Sequence, residues 1–322
     1  MRTAGEGSTA RGGVATETVF GVDDRSVAAV VRLPDSGSSL LPGVVLVDGS
    51  GSSDRHEFGQ LSRWFLDSRF GVLAYDKAGC GDTPGNWRDQ TLEDRVAETR
   101  GALDALRAEE AVDSNKVGLW AISQGGWVAP MVAAEDRRVA FMILVSAPGV
   151  SPFDQELASL EQRMRQTGEP EELVERASAA YWELVKRLRG GESPDEVAGW
   201  FQSVRNEALY AHFLPGLFSD PAVVSFFARI GDHDPIPSMR KVRCPVLLIY
   251  GEHDTLVPVG PSREIIVRQL NAADNHNVTV ETFKGADHNL LVGPPSTGPG
   301  GSHPFAPGYG QLMTTWATAQ IS

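Results

Sequence analysis

The chain has 322 residues, of which 41% are hydrophobic and 22% charged, a composition typical of globular proteins. This length accommodates one large α/β domain with an insertion, or two ordinary domains. Lys and Arg number 29 and Asp and Glu number 42, so the net charge is −13. A strongly negative charge argues against nucleic-acid backbones and anionic membranes as binding partners.

Cysteine content and hydropathy bear on the compartment. The two cysteines, Cys80 and Cys244, cannot form a disulfide framework and suit the reducing cytoplasm. The sequence contains no run of about 18 apolar residues, so it predicts no membrane span. The start of the chain lacks the apolar core of a secretory signal. We therefore expect a cytoplasmic protein with no membrane partner, and residues 1–13, rich in Gly, Ser and Thr, to form a flexible tail. The sequence does not determine the oligomeric state.

Eight apolar or alternating runs predict strands. The runs 14–22 and 26–34 lie close together with "DDR" between them, which predicts a β-hairpin. Most of the six later runs are continuously apolar, the pattern of parallel strands that are covered on both faces. These six runs are 43–48, 71–76, 116–122, 139–147, 245–251 and 277–283.

Helical segments separate the strands. Residues 56–69 place apolar side chains three and four positions apart, and residues 91–110 begin with a Thr followed by acidic residues. Shorter helices are predicted over 262–270 and 309–320. The repeated strand–helix order predicts an α/β fold, a doubly wound and mostly parallel eight-stranded sheet.

Residues 151–235 interrupt this order because they hold helical patterns and no strand candidate. We expect an all-helical cap inserted into a core formed by residues 14–150 and 236–322. The many aromatic residues of the insertion form its own core, or some of them line a substrate pocket. The candidates for the pocket are Trp182, Trp200 and Tyr210 from the insertion, with His56 and Trp127 from the core.

Polar residues follow four of the predicted strands. They are the Gly/Ser loop 49–51, Ser123, Asp254 and His288. The carboxyl ends of parallel strands meet at one edge of a sheet, where ligands bind in open α/β folds. Ser123 by itself could be incidental to a tight turn, and His253 could replace His288 as a base. The joint placement of Ser123, Asp254 and His288 favours one site.

These residue types suit nucleophilic catalysis. An imidazole can take the proton of a serine hydroxyl near neutral pH, and a carboxylate orients the imidazole and stabilises its charged form. Backbone N–H groups can stabilise a developing oxyanion, and we expect those of Ser50 and Gln124 to do so. This chemistry calls for no cofactor and no metal.

Five stretches resemble the motifs of the α/β-hydrolases, in particular the capped bacterial serine esterases. They are "DGSGSSDRHEF" (48–58), "YDKAGCGDT" (75–83), "AISQG" (121–125), "YGEHDTLVP" (250–258) and "GADH" (285–288). In that order they resemble the oxyanion loop, the turn after the fourth strand, the nucleophile elbow, the acid loop and the histidine loop. The resemblance implies that Ser123 is the nucleophile, His288 the base and Asp254 the acid. Asp76 and Lys77 are expected to organise a turn.

Two positions depart from the family pattern. Ala121 replaces the first glycine of the elbow, and it is small enough for the turn. Asp48 stands where the esterases carry His, and its charge would oppose an oxyanion nearby. Either Asp48 points away and bonds the N–H groups of its own turn, or the site is not tuned for ordinary ester hydrolysis.

Three functions therefore remain. The favoured hypothesis is a serine hydrolase that cleaves a carboxylic ester of a small to mid-sized apolar molecule. The second, which the resemblance to the family permits and which Asp48 and the large aromatic cap motivate, is a lyase of natural-product biosynthesis that eliminates a carboxylate or cyclises its substrate on the same scaffold. The third is a non-catalytic receptor for a small molecule.

Overall fold

The computed structural model describes residues 13–35, 39–204, 218–293 and 303–322. Eight strands in these ranges form one sheet: β1 (Gly13–Val22), β2 (Arg25–Pro34), β3 (Leu41–Val47), β4 (Gly71–Tyr75), β5 (Val112–Ile122), β6 (Met142–Val145), β7 (Val246–Gly251) and β8 (Val278–Phe283). The spatial order is β1-β2-β4-β3-β5-β6-β7-β8. The pairs β1–β2 and β2–β4 are antiparallel and all the other pairs are parallel. The predicted eight-stranded, mostly parallel sheet is confirmed.

The first two strands form the predicted hairpin. Val22 pairs with Arg25, so the turn consists of Asp23 and Asp24. Asp23 has a φ of 50°, in the left-handed region that Asp tolerates better than most residues. The predicted flexible tail falls almost entirely on residues 1–12, which lie outside the described residues, and Gly13 already belongs to β1.

Ten α-helices occur in the described ranges. They are α1 (Gly59–Asp67), α2 (Leu92–Arg107), α3 (Gly125–Glu135), α4 (Pro152–Gln166), α5 (Glu171–Arg189), α6 (Pro194–Val204), α7 (Pro221–Ile230), α8 (Ile236–Met239), α9 (Val259–Ala272) and α10 (Tyr309–Gln320). The start of α2 is a capping box, in which Thr91 and Asp94 exchange side chain-to-backbone hydrogen bonds. None of the helices in the described ranges is both long and apolar enough to cross a bilayer.

The helices cover both faces of the sheet, which explains the continuous apolar runs. Val44 and Val45 are adjacent in β3 and both fully buried, yet they belong to different hydrophobic clusters. One cluster packs the sheet against α2, α3 and α9, and the other packs it against α1 and α10. Because neighbouring side chains of a strand point to opposite faces, both must be apolar when both faces are covered.

Between β6 and β7 the described residues contain helices and no strand. Several aromatic side chains of these helices pack on one another, for example Tyr181 on Phe218 and Phe226 on Phe227. Phe226 also meets Trp87, which lies outside the insertion, in an edge-to-face contact with ring centroids 5.2 Å apart. These aromatic residues form the core of the insertion and attach it to the sheet domain.

Candidate active site

Ser123 occupies a sharp turn between β5 and α3. Its φ is 54°, a left-handed conformation that costs free energy for a residue other than Gly. The turn is tight, because a β-carbon at Gly125 would lie 2.6 Å from the carbonyl oxygen of Val47. Ser123 is half-buried, whereas its neighbours Ala121 and Gln124 are buried. The turn therefore leaves the serine accessible at the carboxyl edge of the sheet.

His288 and Asp254 meet at the same edge. The Nδ1 atom of His288 lies 2.9 Å from Oδ2 of Asp254, whose side chain is fully buried. Because an ionised carboxylate only accepts, Nδ1 carries the proton, and Nε2 is left as the basic nitrogen. The other oxygen of Asp254, Oδ1, accepts from the backbone N–H groups of Leu256 and Val257 at 2.8 and 3.0 Å. These bonds hold the carboxylate, and hence the imidazole, in a fixed orientation.

Neighbouring segments support the pair. The hydroxyl of Ser146, just after β6, donates to the carbonyl oxygen of His288 at 2.7 Å. From α4, the Gln162 side chain donates to the carbonyl oxygen of Asp254 at 3.0 Å. The described hydrogen bonds include none between Ser123 Oγ and His288. The structure therefore brings His288 and Asp254 together at the edge of the sheet where the Ser123 turn also lies.

The loop after β3 passes directly over the serine. A β-carbon at Gly49 would lie 2.9 Å from the β-carbon of Ser123 and 3.5 Å from its hydroxyl oxygen. Ser50 follows and is exposed, and Gln124 stands at the N-terminus of α3. Within the described ranges, neither the Ser50 N–H nor the Gln124 N–H has a hydrogen-bond acceptor. Two free backbone donors thus flank Ser123.

Lys77 lies beneath this loop and is 1% exposed. Its Nζ donates to the carbonyl oxygen of Gly49 and, at 2.5 Å, to that of Gly51. Burial lowers the pKa of Lys77 to about 8, and the positive charge of Arg95 acts in the same direction. The sequence predicts for Lys77 only a role in organising its own turn. Lys77 comes just after the buried strand β4, beside the loop that follows the adjacent parallel strand β3. This position was the available signal that Lys77 holds the neighbouring loop.

Asp48 does not make the hydrogen bonds that were expected of it. Its Oδ2 lies 3.7 Å from Nζ of Lys77, and no N–H group among the described residues donates to its carboxylate. The expectation that Asp48 bonds the N–H groups of its own turn is therefore wrong. The turn instead leaves the carboxylate facing a buried ammonium, which balances its charge.

Asp76, the residue before Lys77, holds the far end of the same loop. Its buried carboxylate accepts from the backbone N–H of Arg55 at 2.8 Å and from the Arg55 guanidinium at 2.5 Å. It also accepts from the N–H of Asp82 at 2.8 Å. Consecutive residues after β4 therefore fix both ends of the loop that covers Ser123.

The two candidate pocket residues from the core contact residues other than Ser123, His288 and Asp254. The side chain of His56 is half-exposed, and its Nε2 lies 3.9 Å from a carboxylate oxygen of Glu17 in β1. Trp127 is buried, and its indole N–H donates to the carbonyl oxygen of Val150 at 3.0 Å. His253, the alternative base, has an exposed side chain.

The candidates from the insertion are similarly engaged elsewhere. Trp182 is 37% exposed and lies near the guanidinium of Arg189. Trp200 stacks with Arg187, whose guanidinium carbon is 4.6 Å from the ring centroid. Tyr210 lies outside the described residues. The contacts of Trp182 and Trp200 are thus internal to the insertion.

A cavity of about 260 Å³ opens beside the site, and no motif of the sequence predicts it. It includes Ile122, which precedes Ser123, and Asn289, which follows His288. The other lining residues come mainly from the segment leading into α1, from β5 and from the C-terminal region: Asp48, Glu57, Phe58, Gln60, Leu61, Trp120, Phe305 and Tyr309. Its walls are mostly apolar and its polar groups few, which is the usual character of a small-molecule site.

Comparisons with known proteins identify the family of the chain. The family model described as "Alpha/beta hydrolase family" matches residues 40–296. Esterase EstD of Thermotoga maritima is 24% identical over 265 residues, which cover 80% of this chain. The chain spans only 56% of the length of that esterase.

Solved structures show the same fold at low sequence identity. The Pyrococcus furiosus esterase Pf2001 superposes with a TM-score of 0.57 at 16% identity, covering 85% of this chain and 83% of that one. The esterase Est1E of Butyrivibrio proteoclasticus, solved with ferulic acid bound, gives a TM-score of 0.56 at 16% identity, covering 94% and 96% of the two chains.

Proposed function

The chain belongs to the alpha/beta hydrolase family, and on that premise we propose that it is a serine esterase. Its substrate is a carboxylic ester of a small to mid-sized, mostly apolar molecule. One observation carries the proposal: the His288–Asp254 hydrogen bond of 2.9 Å lies at the same sheet edge as the strained turn that presents Ser123. The similarity to EstD and to other esterases supports ester hydrolysis in general terms.

In the proposed mechanism the Ser123 hydroxyl attacks the acyl carbon of the ester. Nε2 of His288 removes the hydroxyl proton, and the buried carboxylate of Asp254 stabilises the imidazolium that forms. The imidazolium then protonates the departing alcohol, leaving an acyl group on Ser123. A water molecule, deprotonated by His288, attacks this acyl-enzyme and releases the carboxylic acid.

The tetrahedral intermediates carry a negative oxygen that needs hydrogen-bond donors. The N–H groups of Ser50 and Gln124 suit this role because they flank Ser123 and have no acceptor among the described residues. Donors that are fixed before the reaction cost no reorganisation, and each contributes about 10²- to 10³-fold in rate. The mechanism requires no cofactor and no metal.

The substrate class follows from the surroundings of the site. The cavity beside Ser123 measures about 260 Å³ and its walls are mostly apolar, which supports an apolar acyl or alcohol group of ring size. We propose that residues 151–235 form a cap over the site, since α4 donates to the carbonyl oxygens of Asp254 and Thr255. The free thiols of Cys80 and Cys244 support a cytoplasmic location.

The lyase alternative is motivated by the aromatic cap and by Asp48, whose charge would oppose a nearby oxyanion. The 3.7 Å contact with Lys77 balances that charge, so Asp48 no longer argues against hydrolysis. The receptor alternative predicts that Ser123 does not react. Product analysis separates hydrolysis, which gives an alcohol, from elimination, which gives an alkene.

Mass spectrometry of the protein incubated with a panel of acyl esters tests the proposal. We expect one acyl group on the peptide that contains Ser123, and we expect Ser123→Ala to remove both this label and the turnover. A fluorophosphonate probe should label Ser123 in the wild type only. Full turnover of an ester by Ser123→Ala would show that the covalent mechanism is wrong.

A further inference from the structure

The buried side chain of Lys77 is hydrogen-bonded to the loop that covers Ser123. Lys77 Nζ donates to the carbonyl oxygens of Gly49 and Gly51, and its own backbone N–H donates to the carbonyl oxygen of Ser53 at 3.3 Å. A lysine is rarely buried to this extent unless it is paired.

These contacts determine the direction of the neighbouring N–H group. The described residues contain no cis peptide bond, and in a trans peptide the C=O and the following N–H point in opposite directions. Since the Gly49 carbonyl points inward to Lys77, the Ser50 N–H of the same peptide points away from Lys77. This N–H belongs to an exposed residue and has no acceptor among the described residues.

The lysine also places a charge beneath the site. The Asp48 carboxylate is 3.7 Å from Nζ, and Asp48 is the residue before Gly49, which packs against Ser123. Without a cation, this carboxylate would raise the free energy of an oxyanion forming nearby. The ammonium group of Lys77 offsets it.

From these observations we infer that Lys77 is a positioning residue of the esterase, which turns the Ser50 N–H toward the oxyanion and cancels the charge of Asp48. Lys77 itself does not touch the substrate. The inference rests on the proposed function, because it presupposes an oxyanion at Ser123. Asp76 and Lys77, the two residues after β4, thus act in catalysis through the loop over Ser123, in addition to organising their own turn.

The charge of Lys77 should make the reaction sensitive to alkaline pH. Four titratable groups face Nζ from the packed elements: Asp48 after β3, Glu57 before α1, Cys80 in the turn after β4 and Arg95 in α2. Burial and Arg95 lower the pKa of Lys77 to about 8, while Asp48 raises it. Above pH 8 the neutral amine can still donate two hydrogen bonds, but it no longer balances Asp48, so kcat should fall.

The principal test compares Lys77→Met with Lys241→Met, a matched change at an exposed lysine before β7. With p-nitrophenyl butyrate we expect Lys77→Met to lower kcat about 10²- to 10³-fold, the effect of losing an oxyanion donor, with KM changed less than about threefold. Lys241→Met should match the wild type. Lys77→Met with wild-type kcat, or with a raised KM only, would overturn the inference.

A double-mutant cycle separates positioning from general structural support. If Lys77 cancels the charge of Asp48, Asp48→Asn should restore kcat of Lys77→Met at least about fivefold, a non-additive effect expected of residues in contact. Equal losses in Lys77→Met and in the double variant would contradict the charge role. Asp48→Asn alone keeps Lys77 and removes the charge that Lys77 balances, so the alkaline fall of kcat should disappear, and this readout remains if Lys77→Met does not fold. An alkaline fall in Asp48→Asn equal to that of the wild type would also overturn the inference.

Ser123→Ala distinguishes a failure of the proposed function from a failure of the inference on Lys77. If Ser123→Ala retains turnover, the proposed function fails and the role of Lys77 fails with it. If Ser123→Ala is inactive while Lys77→Met is fully active, only the inference on Lys77 is wrong. Should the wild type turn over no ester of the panel, the rate of fluorophosphonate labelling of Ser123 replaces kcat in every comparison. A wild type that is not labelled either would overturn both.

Discussion

Gly49 lies so close to Ser123 that a β-carbon added at position 49 would stand 2.9 Å from the β-carbon of the serine. Two loops that are far apart in the chain are thereby in direct contact at the carboxyl edge of the sheet, because β3 and β5 are adjacent parallel strands. The distance leaves room for no side chain at position 49. The first prediction follows from this contact.

Gly49→Ala should impair catalysis much more than stability. The new methyl group must displace either the loop or the serine, and a misplacement of reacting groups by about 1 Å can cost about 10²-fold in rate. We expect kcat with p-nitrophenyl butyrate to fall at least about tenfold. Gly260→Ala is the matched control, because a β-carbon there meets no atom within 4 Å. Equal kcat values for the two variants would show that the contact has no catalytic importance.

Asp254→Asn should nearly abolish turnover without unfolding the protein. The amide oxygen can still accept from the Leu256 and Val257 N–H groups, but an amide cannot stabilise the imidazolium as the carboxylate does. We expect kcat to fall about 10³- to 10⁴-fold, as when the acid of such a triad is replaced. Steady-state kinetics and the rate of fluorophosphonate labelling measure the effect.

Asp67→Asn serves as its control, since Asp67 is an exposed carboxylate at the end of α1. This variant should behave as the wild type in both assays. If Asp254→Asn also kept wild-type kcat, the bond between His288 and Asp254 would have no role in the reaction.

Much of this architecture could be predicted from the sequence, because burial on two faces leaves a direct pattern. Val44 packs against one layer of helices and Val45 against the other, so both had to be apolar. The predicted strands then placed Ser123, Asp254 and His288 at strand ends. Strand lengths were less predictable. The apolar run 139–147 contains only a four-residue strand, since Phe141 and Ala147 are buried by tertiary packing outside it.

The surroundings of the site were harder to predict, because they depend on distant side chains. The pairing of Asp48 with Lys77 joins loops after two different strands, and no local spacing encodes it. Similarly, Trp182 and Trp200 were plausible pocket residues by type, but their position on the helices turns them toward Arg189 and Arg187. Aromatic composition alone cannot distinguish a pocket from the interior of a helical insertion.

Two carboxylates that bind the same arginine should differ sharply in their contribution to stability. Asp76 is fully buried and bonds Arg55 at 2.5 Å, whereas the side chain of Glu17 is 56% exposed and bonds it at 2.6 Å. Asp76→Ala leaves the Arg55 guanidinium with only exposed partners, which are Glu17 and Asp82. It also takes the acceptor away from the buried Arg55 N–H, so it should lower the free energy of unfolding by about 3–5 kcal/mol. Glu17→Gln should change it by less than about 1 kcal/mol, as for an exposed pair.

Urea unfolding monitored by tryptophan fluorescence measures both effects. Since Asp76 also holds the loop over Ser123 through the Arg55 N–H, Asp76→Ala should lower kcat as well. Similar losses of stability in Asp76→Ala and Glu17→Gln would mean that burial does not decide the strength of these pairs.

Glu156 in α4 should make the stability of the protein depend on pH. Its partial burial raises the pKa of its carboxyl to about 7, and the nearby Arg163 offsets this only in part. Between pH 4.5 and 7 the folded state therefore binds a proton that the unfolded state has lost, so the free energy of unfolding falls as pH rises through this window. Above pH 7 the folded protein carries the full cost of the buried charge.

Glu156→Gln removes this cost while keeping the shape of the side chain. We expect the variant to melt about 2–5 °C above the wild type at pH 8, the shift that roughly 1–2 kcal/mol produces in a chain of this size, and to match it at pH 4.5. Glu175→Gln, an exposed change on α5, should leave Tm unchanged at both pH values. A Tm difference between Glu156→Gln and the wild type that is the same at pH 4.5 and pH 8 would contradict the titration of Glu156, because only an ionising carboxyl makes the difference grow with pH.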